Sequence, residues 1–459
     1  MKRLKRLIFN NRKLNIFFPL HFGKKLYFMD IFGKRLFGNK MLLQFIHSQH
    51  RLANFFKALI IPHWMIVGFL YIILGWYVTE RAQAFDLTED IQLHGFITQG
   101  YFLTSDNRIF GKSDEGGSFD YTEAGITGSW TPHSDFRFAA QVLFRRAGIG
   151  NNNDFELDFG LLDYTILSTV DYRLGVRLGR VKTPFGFYNE TRDVLFTRPT
   201  ILLPQSIYAD AQRDLAMSSD SGFIYGEYRN DWGNLSLELG AGIPRGDSVD
   251  VELGILGDDF PGETYSELSY VGRLGYETQG GKFRMAITSA RVDTRYDPKL
   301  LPPDDLLGGK DIFIPVIFSG QYNREKLSLT AEYAFRSVEA TGFGSGFDRK
   351  MIGESYYLQA EYRFRQNWQF VLRYDVMYND RNDKNGRKNE AKYGSPAHTW
   401  FAKDWTIGLR HYINPSFLIA AEYHSINGTA WIVPIQDNPD PFDLKRRWNL
   451  FALAVSYRF

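Results

Sequence analysis

Apolar and polar residues alternate along most of the chain after residue 85, in stretches of about 8 to 12 residues. The segments Phe136–Arg145, Leu327–Arg336 and Trp368–Tyr378 are the clearest: every second residue is apolar, and most of those between are polar. A helix would instead repeat its apolar positions every three to four residues. Successive side chains of a strand point to opposite faces, so each segment predicts a strand with one apolar and one polar face.

The connections between these segments alternate in length. Seven are short turns, at residues 132–135, 168–171, 229–233, 278–281, 323–326, 365–367 and 414–416. Eight are longer polar loops, near residues 105–117, 147–154, 182–221, 244–265, 295–311, 337–354, 379–400 and 426–447. Fifteen connections imply sixteen strands. An even number of antiparallel strands, with short periplasmic turns and long extracellular loops, is typical of a bacterial outer-membrane β-barrel.

A water-soluble β-sandwich is the alternative, because its strands also alternate, with the apolar face against a second sheet. Two features favour the membrane barrel. Aromatic residues recur at the strand ends, as interface girdles require: Tyr101, Phe119, Tyr172, Trp232, Tyr276, Trp368, Tyr378, Trp405 and Trp448. The chain also ends in an alternating strand, Leu453–Phe459, with Tyr457 and Phe459 on one face. This ending resembles the C-terminal signal that the barrel-assembly machinery recognises. We therefore predict an all-β transmembrane antiparallel barrel of about 16 strands in the bacterial outer membrane.

The formal net charge of +2 over 459 residues conceals two unlike regions. Residues 1–84 carry 14 Lys and Arg against two acidic residues, whereas the other 375 residues carry 40 against 50. A short apolar run, Met65–Tyr77, precedes the small-x-small sequence Ala82–Ala84. A basic segment, a short apolar segment and such a site describe a secretory signal peptide. We predict cleavage after Ala84, so that residues 1–84 are an extended N-terminal region plus signal peptide and residues 85–459 the barrel domain.

Other interpretations of this leader are a membrane anchor or interfacial helix, and a basic nucleic-acid arm. Nothing downstream fits a cytosolic partner, so no nucleic-acid binding is predicted. Translation that begins near Met41 would shorten the leader. The chain has no Cys, which excludes disulfides and thiolate metal sites.

A family resemblance rests on the longest loop. The segment Gly179–Asp193 begins Gly-Arg-Val-Lys-Thr-Pro-Phe-Gly and ends the fifth predicted strand. It resembles the porin superfamily that includes the phosphate-selective porins. The resemblance implies a sixteen-stranded, homotrimeric diffusion porin whose third loop folds inward to narrow the pore.

Function in such a barrel lies in the residues that face the lumen. Strand parity predicts lumen-facing cations at Arg137, Arg145, Arg173, Arg177, Arg273, Arg284, Arg336, Arg363, Arg373 and Arg410. It predicts lumen-facing acids at Glu156, Asp158, Glu238, Glu277, Glu332, Glu361, Asp375 and Glu422. All these cations are Arg, whose planar guanidinium suits carboxylate and phosphate groups.

We predict that pore lining and constriction involve strand and loop residues together: Arg137, Arg145, Arg173, Arg177, Lys182, Glu190, Arg192, Asp193, Arg198, Arg373 and Arg410. In this hypothesis Lys182, Arg192 and Arg198 form the narrowest point. They would face Arg173 and Arg177. Two alternatives stay open. The arginines and acids could pair across neighbouring strands, and the tetrapeptide Glu190–Asp193 could be an internal ion-paired knot that holds the loop down.

Catalytic, metal and cofactor sites are not predicted. The five His residues after residue 84 lie in separate segments without ligand spacing. The segment Asp380–Gly386 has Lys384 at a ligand position of a calcium loop. The sequence thus predicts passive diffusion of small hydrophilic solutes or ions, with carboxylate or phosphate-like anions favoured. The alternative is a non-channel structural or adhesin-like barrel that displays the loops at 244–265, 379–400 and 426–447.

Overall fold

The structure is a computed structural model. It describes residues 85–459 except 149–154, 211–212, 247–248, 258–259, 261, 300–305, 345–346, 433–436, 439 and 441. The predicted leader, its cleavage site after Ala84 and the start at Met41 lie outside the described residues.

Eighteen strands form one antiparallel sheet. They are β1 (Phe85–Thr88), β2 (Ile91–Thr104), β3 (Ser118–His133), β4 (Phe136–Ala147), β5 (Phe155–Ser168), β6 (Tyr172–Lys182), β7 (Ser218–Asn230), β8 (Gly233–Pro244), β9 (Glu263–Ser266), β10 (Ser269–Thr278), β11 (Phe283–Asp297), β12 (Gly309–Arg324), β13 (Leu327–Thr341), β14 (Arg349–Arg365), β15 (Trp368–Tyr378), β16 (Phe401–Asn414), β17 (Phe417–Gly428) and β18 (Arg447–Arg458).

Sixteen of these strands close a barrel, which confirms the predicted fold class. Strands β2 to β8 pair in sequence, β8 pairs with β10, and β10 to β18 pair in sequence until β18 meets β2. The remaining two are short: β1 forms a hairpin with β2, and β9 pairs with the far end of β11. All seven predicted short turns join neighbouring barrel strands at one end, and the eight long loops lie at the other.

Three short helices lie in the long loops: α1 (Arg213–Met217), α2 (Val249–Leu256) and α3 (Arg387–Tyr393). The single-turn 3₁₀ segments are Asn189–Thr191, Leu195–Thr197, Gln279–Gly281 and Ala397–Trp400. None of the helices in the described part of the chain is long and apolar enough to cross a membrane.

The outward face of the barrel is apolar. On β8, Leu235, Leu237 and Leu239 are 43%, 45% and 47% exposed, while the residues between them are the polar Ser236 and Glu238. Large exposed side chains are costly in water, so this surface is suited to lipid. Stacked aromatic pairs lie near the short turns, such as Tyr172 with Tyr228 at 5.0 Å between ring centroids.

Two of the aromatics predicted for the girdles are instead covered. Trp448 is 2% exposed and Tyr378 is 7% exposed. Trp448 belongs to a cluster inside the barrel, where it packs near Trp431 of the loop before β18. The sequence shows that Trp448 lies at a strand end, but it does not show that the preceding loop covers the side chain.

The last strand, β18, closes the barrel against β2. The backbone of Phe459 exchanges two hydrogen bonds with Gly95, at 3.0 and 3.1 Å. A Cβ on Gly95 would lie 2.4 Å from the Phe459 ring, so only glycine leaves room for that ring. The Tyr457 ring packs in a tilted arrangement against Phe417 on the neighbouring strand, at 4.7 Å between centroids.

Candidate pore and constriction

The connection between β6 and β7, residues 183–217 and here called loop three, folds into the lumen. Its Leu195 and Ile201 are completely buried in a cluster with wall residues of β2, β3, β17 and β18. Further along, Leu203 and Tyr208 pack in a second cluster against β12, β13 and β14, where Tyr357 is completely buried. Loop three therefore reaches two different parts of the wall, and the predicted inward fold is confirmed.

Buried charges hold the loop to the wall beside β3, β4 and β5. Here four carboxylates and five cations are interlinked, and we call them the ionic cluster: Glu123, Asp158, Asp193, Asp210, Arg145, Lys182, Arg192, Arg198 and Arg213. A buried charge is stable only when it is paired and hydrogen-bonded, so an interlinked set of this kind fixes one loop position.

Glu123 of β3 is the centre of the ionic cluster. Its carboxylate, which is completely buried, contacts Arg145 at 3.2 Å, Arg198 at 2.9 Å and Arg213 at 3.0 Å. The Tyr121 hydroxyl donates to it at 2.9 Å. Because Arg198 and Arg213 belong to loop three, this single carboxylate ties two separate parts of the loop to the wall.

The two loop carboxylates of the cluster are strongly stabilised as anions. Burial opposes ionisation of Asp210, but Arg145, Arg213 and Arg192 lower its pKa to about 2. Burial likewise opposes ionisation of Asp193, and Lys182 and Arg213 lower its pKa below the usual range. Burial and the neighbouring Arg213 lower the pKa of Arg192 to about 10. All three groups remain charged at neutral pH.

On the opposite wall, strand side chains bond to the loop backbone. Arg373 donates to the Thr200 hydroxyl at 2.8 Å and the Leu202 carbonyl at 3.0 Å. Arg410 donates to the Leu195 carbonyl at 3.0 Å. The two guanidiniums are 1% and 2% exposed. Both side chains point inward and are covered by loop three, which removes Arg373 from the predicted pore lining, whereas Arg410 also lines a lumen cavity described below.

Carboxylates of the same wall accept from the loop. Glu422 accepts from the backbone N–H groups of Ile201 and Leu202. Glu332 accepts from the Tyr208 hydroxyl at 2.5 Å and from the Phe187 N–H at 3.1 Å. These acids complete the backbone hydrogen bonding of a segment that is buried without regular secondary structure.

The predicted narrowest point does not form as expected. Lys182 contacts Asp158 at 2.6 Å and Asp193 at 2.5 Å, Arg198 contacts Glu123, and Arg192 donates to the Tyr208 carbonyl at 3.1 Å. These cations, with Arg145, are bound within the ionic cluster rather than directed at Arg173 and Arg177. The tetrapeptide Glu190–Asp193 is not an internal knot either, because its acids pair outside it.

Arg177 instead belongs to a row of alternating charges below the loop. It contacts Asp163 at 3.2 Å and Glu238 at 3.1 Å; Glu238 contacts Arg273 at 2.5 Å, which in turn contacts Glu190 at 2.5 Å. We call these five residues the charged row. They bridge β5, β6, β8, β10 and loop three, and their side chains stay between 12% and 32% exposed.

The two remaining predicted arginines lie towards the short turns. Arg173 lies over the Tyr225 ring, 5.4 Å from its centroid. Arg137 is exposed and faces Asp163 across the register of β4 and β5. That both residues line the pore stays a prediction.

Sequence reasoning predicted Asp158 on the lumen face but missed two other acids that organise this interior, Asp163 and Glu123. Asp158 and Asp163 are five positions apart, which in a regular strand places them on opposite faces. Both point inward because β5 is irregular: Gln141 pairs with Phe159 and Val142 with Leu157, so that Asp158 is an extra residue. Glu123 alternates with Tyr121 on β3, and this parity could have identified it.

Three cavities bounded by described residues lie along the lumen beside loop three. The one nearest the short turns has a volume of about 450 Å³; six cations and two acids line it, namely Arg198, Arg284, Arg324, Lys326, Arg363, Arg410, Glu325 and Glu361. The one nearest the long loops has about 270 Å³ and is lined by Arg336, Arg349 and Asp311 among others. A middle cavity of about 70 Å³ lies against loop three, with Arg192 and Arg336 its charged lining residues.

In the part of the chain that the structure describes, no group of three or more His, Asp or Glu side chains is arranged to hold a metal ion.

Comparison with known proteins gives the fold. No protein-family model matches the chain, and no curated protein matches it. Among solved structures it is similar to OmpF of Salmonella typhi in complex with daunomycin, with a TM-score of 0.51, 12% identity, and coverage of 82% of this chain and 100% of that one. It is also similar to in-vitro folded OmpT, an outer membrane protein of Vibrio cholerae, with a TM-score of 0.50, 10% identity, and coverage of 82% and 100%. An anion-selective porin from Comamonas acidovorans follows at a TM-score of 0.48 and 11% identity, with coverage of 80% and 99%. The chain therefore shares the barrel fold of OmpF and OmpT.

Proposed function

We propose that this protein is an outer-membrane porin that lets small hydrophilic solutes diffuse passively, with a preference for anions. The observation that carries the proposal is the sequence of cavities beside loop three, each lined by more cations than acids. A closed barrel of sixteen strands has an interior wide enough for water, and an inward loop then sets the aperture.

Electrostatics in a narrow lumen favours the anion. The cavity near the short turns has six cations against two acids, and low-dielectric walls strengthen the field of such an excess. The preference comes from this vestibule and from the middle cavity rather than from an arginine aperture at Arg173 and Arg177. The charged row is nearly balanced, with two arginines and three acids.

Planar-bilayer recording tests this function. The purified barrel is expected to conduct, and in a KCl gradient its reversal potential should have the sign of chloride preference. A barrel without conductance would refute the channel and favour the adhesin-like alternative, whose specific support is the small volume of the middle cavity. A clear potassium preference would refute the anion preference alone.

Arg177, which belongs to the charged row, and Arg173, which does not, give a graded test. Arg177→Ala leaves Asp163 and Glu238 without one of their cations, and should move the reversal potential towards potassium. Arg173→Ala should shift it less, because Arg173 has the Tyr225 ring as its described neighbour. Equal shifts would contradict the role given to the charged row.

Assembly follows the same proposal. The apolar outward face would contact outer-membrane lipid, the C-terminal strand with Tyr457 and Phe459 would be recognised by the barrel-assembly machinery, and the barrel would form a homotrimer. Chemical crosslinking of the protein in native membranes should then yield a trimer band; monomer alone would contradict that part.

A further inference from the structure

The middle cavity has a wall of small and apolar side chains. Phe223, Gly240, Val271 and Ala290 are successive register partners on β7, β8, β10 and β11, and all four line it. Strand register therefore places an uncharged patch across four neighbouring strands at one height of the barrel. A Cβ on Gly240 would lie 2.4 Å from the Phe223 ring, so glycine here makes room for the aromatic side chain.

Loop three supplies the opposite side of the cavity. Phe185, Ile207 and Leu215 all line it, and each is at most 9% exposed. The space between loop and wall is thus bounded by hydrocarbon on both sides. Such a lining is unfavourable for the passage of inorganic ions, because an ion loses hydration energy beside apolar side chains.

Two guanidiniums are the charged groups of this otherwise apolar space. Arg192, which is 2% exposed, and Arg336 line the cavity, and the lining residues include no acid. The Nε atom of each is buried and has no hydrogen-bond partner. The Nη2 atom of Arg336 donates to the Tyr378 carbonyl at 3.3 Å and to the side-chain oxygen of Asn379 at 3.4 Å. Buried N–H donors are nearly always satisfied, so both guanidiniums keep unused donor capacity beside this cavity.

The next register step towards the short turns is charged. Tyr225, Glu238, Arg273 and Thr288 follow one another across the same four strands. Glu238 and Arg273 belong to the charged row. An anion that leaves the apolar patch in this direction would thus meet the charged row, in which Glu238 is paired with Arg177 and Arg273.

The cavity is reached from the long-loop end. It shares Leu215, Phe313 and Arg336 with the 270 Å³ cavity on that side. Its own volume of about 70 Å³ would hold on the order of five waters, at roughly 10–15 Å³ of such space per water. That room suits a carboxylate with a single ring or a short branched chain.

We propose that this cavity is a binding site for small monocarboxylates with an apolar body, and that it selects them over inorganic anions and over acetate. The inference rests on the proposed channel function and names its favoured substrate class. The carboxylate meets Arg192 and Arg336 through charge-assisted hydrogen bonds, while the ring or branched chain occupies the patch around Val271.

Benzoate, acetate and benzamide separate the two requirements, since acetate lacks the apolar body and benzamide lacks the charge. Calorimetry on the purified barrel in detergent should show benzoate binding at least about tenfold tighter than either, the factor expected for one buried charged contact or one buried ring. In the bilayer, benzoate should interrupt the chloride current at concentrations where acetate does not.

Substitutions at Val271 provide a matched pair. Val271→Asp places an anion in the patch and should weaken benzoate binding by about tenfold or more, whereas Val271→Asn, of similar size and no charge, should retain most of it. Arg336→Gln should also weaken benzoate and leave benzamide unchanged. Heat-modifiable migration on gels verifies that each variant barrel is folded.

The outcomes are distinguishable from failure of the channel itself. Conductance with equal binding of benzoate and acetate overturns the site and leaves the channel intact. Selective benzoate binding without conductance supports the site and overturns the channel. Equal effects of Val271→Asp and Val271→Asn would also overturn the site, because charge would then have no role in it.

Discussion

Removing the carboxylate at the centre of the ionic cluster should release loop three. In Glu123→Gln the three guanidiniums of Arg145, Arg198 and Arg213 lose a shared anion, while their side chains are only 3% to 4% exposed. Removing one partner of a buried ion pair costs about 3–5 kcal/mol, because the other charge is left unpaired away from water. That cost would shift the ratio of closed to released loop by roughly two to four orders of magnitude.

A matched substitution separates burial from charge. Glu277 pairs with Arg284 at 3.2 Å, but these side chains are 48% and 43% exposed. Exposed pairs contribute about 0–1 kcal/mol, so Glu277→Gln should leave loop three in place. Both changes replace a Glu by Gln next to an Arg, but Glu123 is buried and contacts two arginines of loop three, whereas Glu277 is exposed and pairs with a strand arginine.

Two assays report the position of the loop. Single-channel conductance should rise and become noisier in Glu123→Gln, since a released loop no longer narrows the lumen. Trypsin should also cut at the Arg residues of loop three in Glu123→Gln and leave them intact in the parent and in Glu277→Gln. Parent-like conductance and protection in Glu123→Gln, or loop release in Glu277→Gln as well, would refute the assignment of Glu123 as the anchor.

Three further predictions concern acid, barrel closure and export. The pKa of Asp210 is lowered in the folded state to about 2. Its stabilisation of the closed loop is therefore complete above the ordinary carboxyl range near pH 4 and is lost as pH falls towards 2. Trypsin protection, probed after brief acid exposure, should persist at pH 5, and release of the loop at that pH would contradict the ion pairing of Asp210. Gly95→Val should slow formation of the heat-modifiable folded band, because a Cβ there would lie 2.4 Å from the C-terminal phenylalanine ring, whereas Gly128→Val, whose Cβ would meet nothing within 4 Å, should fold like the parent. Mass spectrometry of the mature protein should find an N-terminus at Phe85; retention of residues before Ala84 would refute the predicted cleavage.

The barrel could be predicted from local pattern alone. Period-two alternation and turn composition depend on residues that are close in sequence, so the strand predicted at Leu327–Arg336 and all seven short turns followed directly from the chain, although that strand continues to Thr341. Parity also gave the correct face for Arg145, Arg373 and Arg410. The aromatic rim was correct at Tyr172 but not at Trp448, which the preceding loop covers.

The pore required the tertiary structure. Sequence places Arg373 and Arg410 inside the barrel, but whether a cation meets water or a loop carbonyl depends on where loop three lies. That path is fixed by pairs such as Glu123 with Arg213, which are distant in sequence and which no local pattern encodes. The same holds for Asp163, because one extra residue in β5 reverses strand parity, and for the middle cavity, whose wall exists only once four strands are in register. The face of a strand to which a side chain points is a local property of the backbone. Ion pairing and closure of the barrel depend on the whole chain.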